Sequence, residues 1–90
     1  MPARSARAVG RQLRLLASGR QILCITHLPQ VAALAARHFT ITKDASVLPP
    51  RTSVSVVQGD EVVGELVRML GANEGDKAAG QHARQLLRAA

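Results

Sequence analysis

Thr26 and His27 place a hydroxyl and an imidazole side by side, and they are the residues of this chain best suited to chemistry. They follow the apolar residues 22–25 and come just before Pro29, a residue favoured in the first turn of a helix. We therefore expect a strand, the polar pair and a helix in that order. Open α/β sheets bind ligands at the carboxyl ends of their strands, and a helix N-terminus favours anions. The pair is thus a candidate site for a phosphate group.

A histidine at the end of a strand also has a purely structural interpretation. Its imidazole can hydrogen-bond a neighbouring carbonyl and cap the edge of the sheet. Two features favour a role in a site instead: the preceding run is apolar throughout, which would place its end rigidly, and Thr26 adds a second hydrogen-bonding group. From the residue pattern alone, both interpretations of His27 stay open.

The other side chains that bind metals or act as nucleophiles are scattered. His38 begins a predicted strand and His82 lies in the predicted last helix, and we interpret both as surface or boundary residues. Cys24 is the single cysteine, and no two histidines have the spacing of ligands on one helix face, so no zinc site is predicted. Adjacent Asp60 and Glu61 fit a helix cap and a favourable interaction with the helix dipole, which leaves no predicted metal site.

The apolar periodicity predicts a mixed α/β fold that positions this pair. The continuous apolar character of residues 21–26 is typical of a strand covered on both faces in a parallel sheet. Residues 38–43 and 52–58 alternate in polarity, which predicts an antiparallel hairpin with one exposed face. Helical periods predict further helices at residues 6–18, 29–37 and 61–70, with Asp60 as the cap of the third, and a last helix carrying residues 79–87 with Asp76 as its cap. The predicted apolar face of the first helix carries Val9, Leu13 and Leu16, and that of the third carries Val62, Val63, Leu66, Val67 and Leu70.

Charge is distributed unevenly along the 90 residues, which carry 12 Lys and Arg against 6 Asp and Glu. The arginines of the first helix recur at spacings of three and four on one face: Arg4, Arg7, Arg11 and Arg14. A solvated face, contacts to DNA phosphates, and an acidic surface elsewhere in a larger protein are all compatible with this stripe. With one aromatic residue in the chain, recognition of single strands by base stacking is not expected.

Composition also bears on the compartment. The lone Cys24 lies in the most apolar run, where we expect it to be buried, and it suits a reducing environment without an internal disulfide. No apolar stretch approaches the roughly 20 residues that span a bilayer, and no apolar segment of a signal peptide follows the basic N-terminus. We therefore predict a soluble cytoplasmic chain without a membrane partner.

Three stretches carry a resemblance to a known family. The segment CITHLPQVAA at residues 24–33, the helix ARAVGRQL at residues 6–13 and the segment ELVRMLG at residues 65–71 resemble the RecN family. These bacterial DNA-repair ATPases are related to the SMC proteins and the ABC ATPases. The resemblance extends from about residue 4 to residue 88, which is nearly the whole chain.

The resemblance implies both a fold and a function. It implies part of a P-loop ATPase head of the ABC/SMC type, acting in DNA repair and recombination at double-strand breaks and associated with the nucleoid. His27 would be the switch histidine, which hydrogen-bonds the γ-phosphate of ATP or its attacking water, with Thr26 beside it in the nucleotide site. ATP with Mg²⁺, double-stranded DNA and a second head in a dimer are the ligands and partners so implied.

The motifs that bind nucleotide in such a head are absent from this sequence. It contains no Gly-x-x-x-x-Gly-Lys-Ser/Thr run, no apolar strand ending in Asp-Glu, no signature motif and no heptad arm. In the family these precede the resembling segment, and Met1 stands about where the D-loop would end. We therefore expect residues 1–90 to be a single partial domain, the C-terminal part of a head, from a truncated gene product or a fragment.

Two physical expectations follow for the chain alone. It should neither hydrolyse ATP nor hold ATP and Mg²⁺ tightly, because the groups that bind them are missing. The unpaired edge of the predicted strand should leave it marginally stable or self-associating. The rival interpretation is a small basic module that binds DNA or a protein partner without nucleotide chemistry.

Overall fold

Helices flank a single hairpin in the computed structural model of this protein, which describes residues 2–90 and leaves Met1 outside the described residues. The hairpin is a two-stranded antiparallel sheet, so the chain has a mixed helix and sheet architecture. The elements in chain order are α1 (Ala3–Leu16), α2 (Pro29–Ala32), β1 (His38–Asp44), β2 (Arg51–Val57), α3 (Asp60–Met69) and α4 (Lys77–Arg88).

The hydrophobic core lies where α3 and α4 meet the base of the hairpin. Its buried members are Ala33, Val57, Val62, Leu66, Val67 and Ala83. Leu66 is the largest side chain in it, with 1% of its surface exposed. The apolar side predicted for the third helix is therefore the one that α3 buries, and the alanine-rich last helix contributes a close-packed contact through Ala83.

A capping hydrogen bond at the start of α4 supports this core. The Asp76 carboxylate accepts a hydrogen bond from the backbone N–H of Ala79 at 3.0 Å, which confirms Asp76 as the cap of the last helix. Asp60, by contrast, is wrong as the cap of α3: Gly59 holds that position, and Asp60 lies in the first turn without a capping bond. Gly59 has φ of 60°, a left-handed conformation that suits glycine and turns the chain from β2 into α3.

The hairpin confirms the predicted pairing. β1 and β2 are antiparallel, with His38 opposite Val57 at the base and Asp44 opposite Arg51 near the turn. Thr40 donates a hydrogen bond to Glu65 of α3 at 3.4 Å, so the threonine-bearing face packs toward the helices. The apolar side chains of the other face are exposed, and on the threonine-bearing face burial is confined to His38, Thr40 and Val57 at the base of the hairpin.

A second, smaller contact joins α1 to α2. Gly10 of α1 lies so close to Leu34, just after α2, that a Cβ at position 10 would overlap the leucine Cδ1 atom. The side chain of Arg14 donates a hydrogen bond to the Leu34 carbonyl at 3.1 Å. The buried residues of α1 are therefore Ala6 and Gly10, whereas Val9 and Leu16 of the predicted apolar face are largely exposed.

The predicted strand at residues 21–26 is not formed. Residues 21–26 have no regular secondary structure and His27 lies in a bend, and among residues 2–90 no backbone–backbone hydrogen bond involves residues 21–27. Leu23 and Ile25 are each 85% exposed, and Cys24 is exposed rather than buried as expected. A strand covered on both faces needs neighbouring strands and helices, and the hairpin is the one sheet in the part of the chain that the structure describes. We call residues 21–27 the extended segment.

Candidate functional site

The extended segment is joined to the packed part of the molecule at both ends. Upstream, the chain leaves α1 through a turn in which Gly19 adopts φ of 74°, a left-handed conformation. Downstream, Pro29 occupies the first turn of α2 and is buried together with Val31. Because α2 packs on α1, the two ends of the segment are fixed while its middle contacts little of the protein.

Thr26 acts locally on the backbone. Its hydroxyl oxygen accepts a hydrogen bond from the N–H of Leu28 at 3.0 Å, a bond that spans two residues and bends the chain into α2. This bond turns the chain sharply at His27, which is exposed, directly before the helix. Thr26 is thus a positioning residue in this structure, and His27 is the side chain presented to solvent.

The helix that follows is much shorter than predicted. The expected helix spans residues 29–37, whereas α2 ends at Ala32 and residues 35–37 are exposed. A four-residue helix aligns too few peptide dipoles to favour a phosphate, so the dipole contribution expected at this site is wrong. What remains at the site is one exposed imidazole at the end of an unpaired apolar segment.

The arginine stripe of α1 does not form a single free surface. Arg4, Arg11 and Arg14 are exposed and Arg7 is half-buried. The guanidinium of Arg14 is engaged with the Leu34 carbonyl, so it stabilises the contact between α1 and α2. Arg4 and Arg11 are therefore the two residues of the stripe best placed to meet an external anion.

The other two histidines lie apart from the extended segment. His82 is exposed on α4, and His38 is half-buried at the start of β1, which confirms both as surface or boundary residues. Burial lowers the pKa of His38, and a hydrogen bond to the Ala35 backbone partly offsets this. No group of three or more metal-ligating side chains occurs within residues 2–90.

A wide concave surface of the molecule lies away from His27. It lies between α3 and α4, and its rim carries acidic and basic side chains, among them Glu61, Glu74, Asp76 and Arg84. This groove is wide and open to solvent, and neither Thr26 nor His27 lines it. Mixed charges on an open rim select no particular ligand, so the candidate site stays at the extended segment. No helix within residues 2–90 is long and apolar enough to cross a membrane.

Comparisons with known proteins point to one family. The chain is 41% identical over 87 residues to the DNA repair protein RecN of Streptomyces coelicolor, a match that covers 97% of this chain and 15% of that protein. It is 43% identical over 88 residues to RecN of Mycobacterium leprae, covering 97% of this chain and 14% of the relative. For RecN of Bacillus subtilis the identity is 38% over 87 residues, with 97% and 15% covered. No family model matches the chain.

The chain spans about 15% of the length of these curated relatives, and it matches their C-terminal part. The shared region includes the helices, the hairpin and the extended segment, because the matches cover nearly every residue. The chain therefore corresponds to a C-terminal part of RecN and belongs to the RecN family of DNA repair proteins.

Proposed function

We propose that these residues form the C-terminal part of a RecN-type ATPase head that acts in DNA repair, and that His27 supplies its phosphate-sensing side chain. The observation that carries the proposal is the placement of His27. It is exposed, it ends an apolar segment whose backbone has no partner among residues 2–90, and its position is fixed by the Thr26 hydroxyl and by α2. Such a segment is complete only when strands from elsewhere flank it.

The chemistry available to this chain is limited. ATP with Mg²⁺ would supply the phosphoryl group and the metal that neutralises its charge. Of the described residues at the site, His27 fits one role, the donation of a hydrogen bond from its imidazole N–H to a phosphate oxygen. Thr26 fits another, because its hydroxyl holds the backbone at Leu28 and so fixes where the imidazole lies. The sequence has no phosphate-binding loop, so the remaining contacts belong to the N-terminal part of the head.

Two consequences for the whole protein belong to the same proposal. Residues 1–90 are a partial domain whose first partner is the rest of the head, in the arrangement of a P-loop ABC/SMC-type ATPase. Double-stranded DNA and a second head are its further partners, in recombination at double-strand breaks near the nucleoid. Alone, the chain neither hydrolyses ATP nor holds the nucleotide tightly.

The test uses a chimera in which this chain replaces the matched C-terminal region of the Streptomyces coelicolor relative. Removing one hydrogen-bond donor that acts on developing charge costs about 100-fold or more in turnover. We therefore expect His27→Ala to reduce Mg²⁺-dependent phosphate release by about that factor while nucleotide affinity changes little. His82→Ala, which removes an exposed histidine from α4, is the matched control and should leave turnover unchanged. An active chimera whose turnover is unaffected by His27→Ala contradicts the role of His27.

A second candidate function rests on α1. Its arginines Arg4 and Arg11 are exposed, and the helix contains no acidic residue, which fits direct contact with DNA phosphates by the isolated chain. If this binding module is correct, the chain alone binds duplex DNA with an affinity that falls steeply with salt. Arg4→Gln with Arg11→Gln should then weaken binding and flatten its salt dependence, while Arg88→Gln on α4 should not. Absence of salt-dependent binding excludes this second function and leaves the first untouched.

A further inference from the structure

One face of α1 is shaped to hold α2. Ala6, Gly10 and Arg14 follow one another at a spacing of four residues, which places them in a row on one face of the helix. Ala6 and Gly10 are the buried residues of α1, although most of the helix is exposed. The two small residues let the backbones of α1 and α2 approach each other, and Arg14 lies at the end of this row.

The closest approach lies next to the candidate site. A Cβ atom at position 10 would be 3.4 Å from the Cα of Val31 and 3.6 Å from the carbonyl oxygen of Gln30. Gln30 and Val31 belong to the first turn of α2, and only Leu28 separates this helix from His27. The absence of a side chain at Gly10 therefore sets the distance between α1 and the end of α2 that adjoins His27.

Arg14 anchors the opposite end of α2. Its guanidinium donates a hydrogen bond to the carbonyl oxygen of Leu34 at 3.1 Å. Leu34 follows the helix, where carbonyl groups lack a partner, and within residues 2–90 no backbone N–H donates to this one. Hydrogen bonds from charged donors are stronger than those from neutral donors. Arg14 thus fixes the end of α2 that the backbone itself leaves free.

α2 is too short to hold its own geometry. It has four residues, whereas an isolated helix needs roughly 12–15 to be even marginally stable in water. The Thr26 hydroxyl orients the bend at His27 relative to Leu28, and so relative to α2 rather than to the rest of the molecule. Among the described elements, α2 has its most extensive contact with α1. The position of the imidazole therefore depends on how firmly α1 holds α2.

We propose that Arg14 is a positioning residue for His27 and acts on it through α2. The inference rests on the proposed function in one respect, that the imidazole donates a hydrogen bond to a phosphate oxygen. Without the bond to Leu34, α2 can shift on α1, and Leu28 and His27 move with it. A displacement of about 1 Å can reduce turnover by about 100-fold. Because the proposed role of His27 is in the reaction and not in nucleotide binding, the loss appears in kcat and not in KM.

The experiment replaces Arg14 in the chimera described above. Arg14→Met keeps a long aliphatic side chain but removes the donor, whereas Arg14→Lys keeps a charged donor. We expect Arg14→Met to lower kcat for Mg²⁺-dependent phosphate release by about 10-fold with little change in the KM for ATP. Arg14→Lys should recover part of this loss. Arg88→Met, at an exposed arginine of α4, is the matched control and should leave both constants unchanged.

A double-mutant cycle separates positioning of His27 from a general effect on the fold. In the His27→Ala chimera, Arg14→Met should change kcat by less than about 2-fold, because no imidazole remains to be displaced. An equal loss of kcat with and without His27 overturns the inference. So does an unchanged kcat in the chimera that keeps His27, or an effect on KM alone. Thermal unfolding verifies that each variant is folded, and Arg14→Lys enters the same cycle if Arg14→Met is not.

The same cycle distinguishes this inference from the proposed function. If His27→Ala alone leaves turnover unchanged, the proposed role of His27 and the positioning role of Arg14 are both refuted. If His27→Ala lowers turnover and Arg14→Met does not, only the positioning role is refuted.

Discussion

The layer of α3 and α4 and the extended segment are both rich in aliphatic residues, yet they differ completely in packing. Leu66 of α3 is almost fully buried, whereas Leu23 of the extended segment is almost fully exposed. The layer of α3 and α4 has its contacts close in sequence, with Asp76 capping the last helix and Val57 entering from the adjacent strand. Within residues 2–90 the extended segment has none of the hydrogen-bonded strand neighbours that a buried strand requires.

The region that stabilises the fold is therefore a different one from the region that carries the proposed chemistry. The layer of α3 and α4 contains the core but not the candidate site. The extended segment contains His27, but within residues 2–90 its backbone is unpaired. Under the proposed function His27 needs a rigid support, which the rest of the head would supply. Four apolar side chains of the hairpin are exposed as well, those of Phe39, Ile41, Val54 and Val56.

Truncating one leucine in each region tests most sharply whether the two regions differ in their contribution to stability. Leu66→Ala removes buried methyl groups from the core and should lower the free energy of unfolding by about 2–5 kcal/mol. Leu23→Ala should change it by less than about 0.5 kcal/mol, because its side chain is already in water. Urea denaturation followed by circular dichroism measures both. Similar losses for the two variants would mean that the extended segment is packed in solution and that the comparison is wrong.

A smaller effect is expected from two matched hydrogen bonds, each from a backbone N–H to a side-chain oxygen at 3.0 Å. Asp76→Ala removes the cap of α4 and should cost about 1 kcal/mol of unfolding free energy. Thr26→Val removes the bond to Leu28 and should lower the unfolding free energy by only a few tenths of a kcal/mol, because the bond orders a segment that buries little. Thermal unfolding of both variants would separate them. A larger loss for Thr26→Val would contradict the assignment of stability to the layer of α3 and α4.

The smallest effect concerns Glu65, which links α3 to the hairpin. The hydrogen bond and charge of Arg68 lower the pKa of Glu65, and the bond from Thr40 adds to this. Because the pKa of Glu65 is lowered in the folded state, the ionised carboxylate adds to the free energy of unfolding at pH values above its pKa in the unfolded chain, about 4.3. This stabilisation is lost as the pH falls through the lower pKa that Glu65 has in the folded state. The largely exposed partner limits it to about 0.2–1 kcal/mol at neutral pH.

Glu65→Gln tests this link by comparing unfolding free energies at neutral and acidic pH. The difference in unfolding free energy between the wild type and Glu65→Gln should become smaller as the carboxylate of Glu65 is protonated. Glu74→Gln, in the exposed turn before α4, is the control and should show a smaller change with pH. If this difference in unfolding free energy is the same at both pH values, the ionised form of Glu65 is not what stabilises the fold.

Much of the layer of α3 and α4 and of the hairpin is predictable from sequence because its determinants are local. Alternating β-branched residues on both sides of a proline-containing loop predict the antiparallel hairpin, whose register in the structure pairs His38 with Val57. The spacing of Val62, Leu66 and Leu70 predicts α3, and Asp76 predicts the start of α4. The alternation does not predict that the apolar side of the hairpin is exposed, because burial depends on what lies on each side of the sheet.

The extended segment was predicted wrongly for a physical reason. Apolar continuity over residues 22–25 indicates a strand that is covered on both faces, but strand formation depends on partners distant in sequence. The burial of Cys24 and the length of the second helix likewise depend on packing partners distant in sequence, since most of the stability of a helix comes from packing. The resemblance to RecN, by contrast, depends only on residue identity, and the relatives confirm it.

Amide hydrogen exchange in the extended segment tests the central claim most directly. The account predicts that the amides of Ile22 to Ile25 exchange near the rate of an unfolded chain in the isolated protein, because they donate no hydrogen bond to residues 2–90. In the chimera the same amides should slow by at least about 100-fold, as expected for a paired strand in a folded protein. Fast exchange in an active chimera, or slow exchange in the isolated monomer, would contradict the claim that this segment is completed from outside the chain.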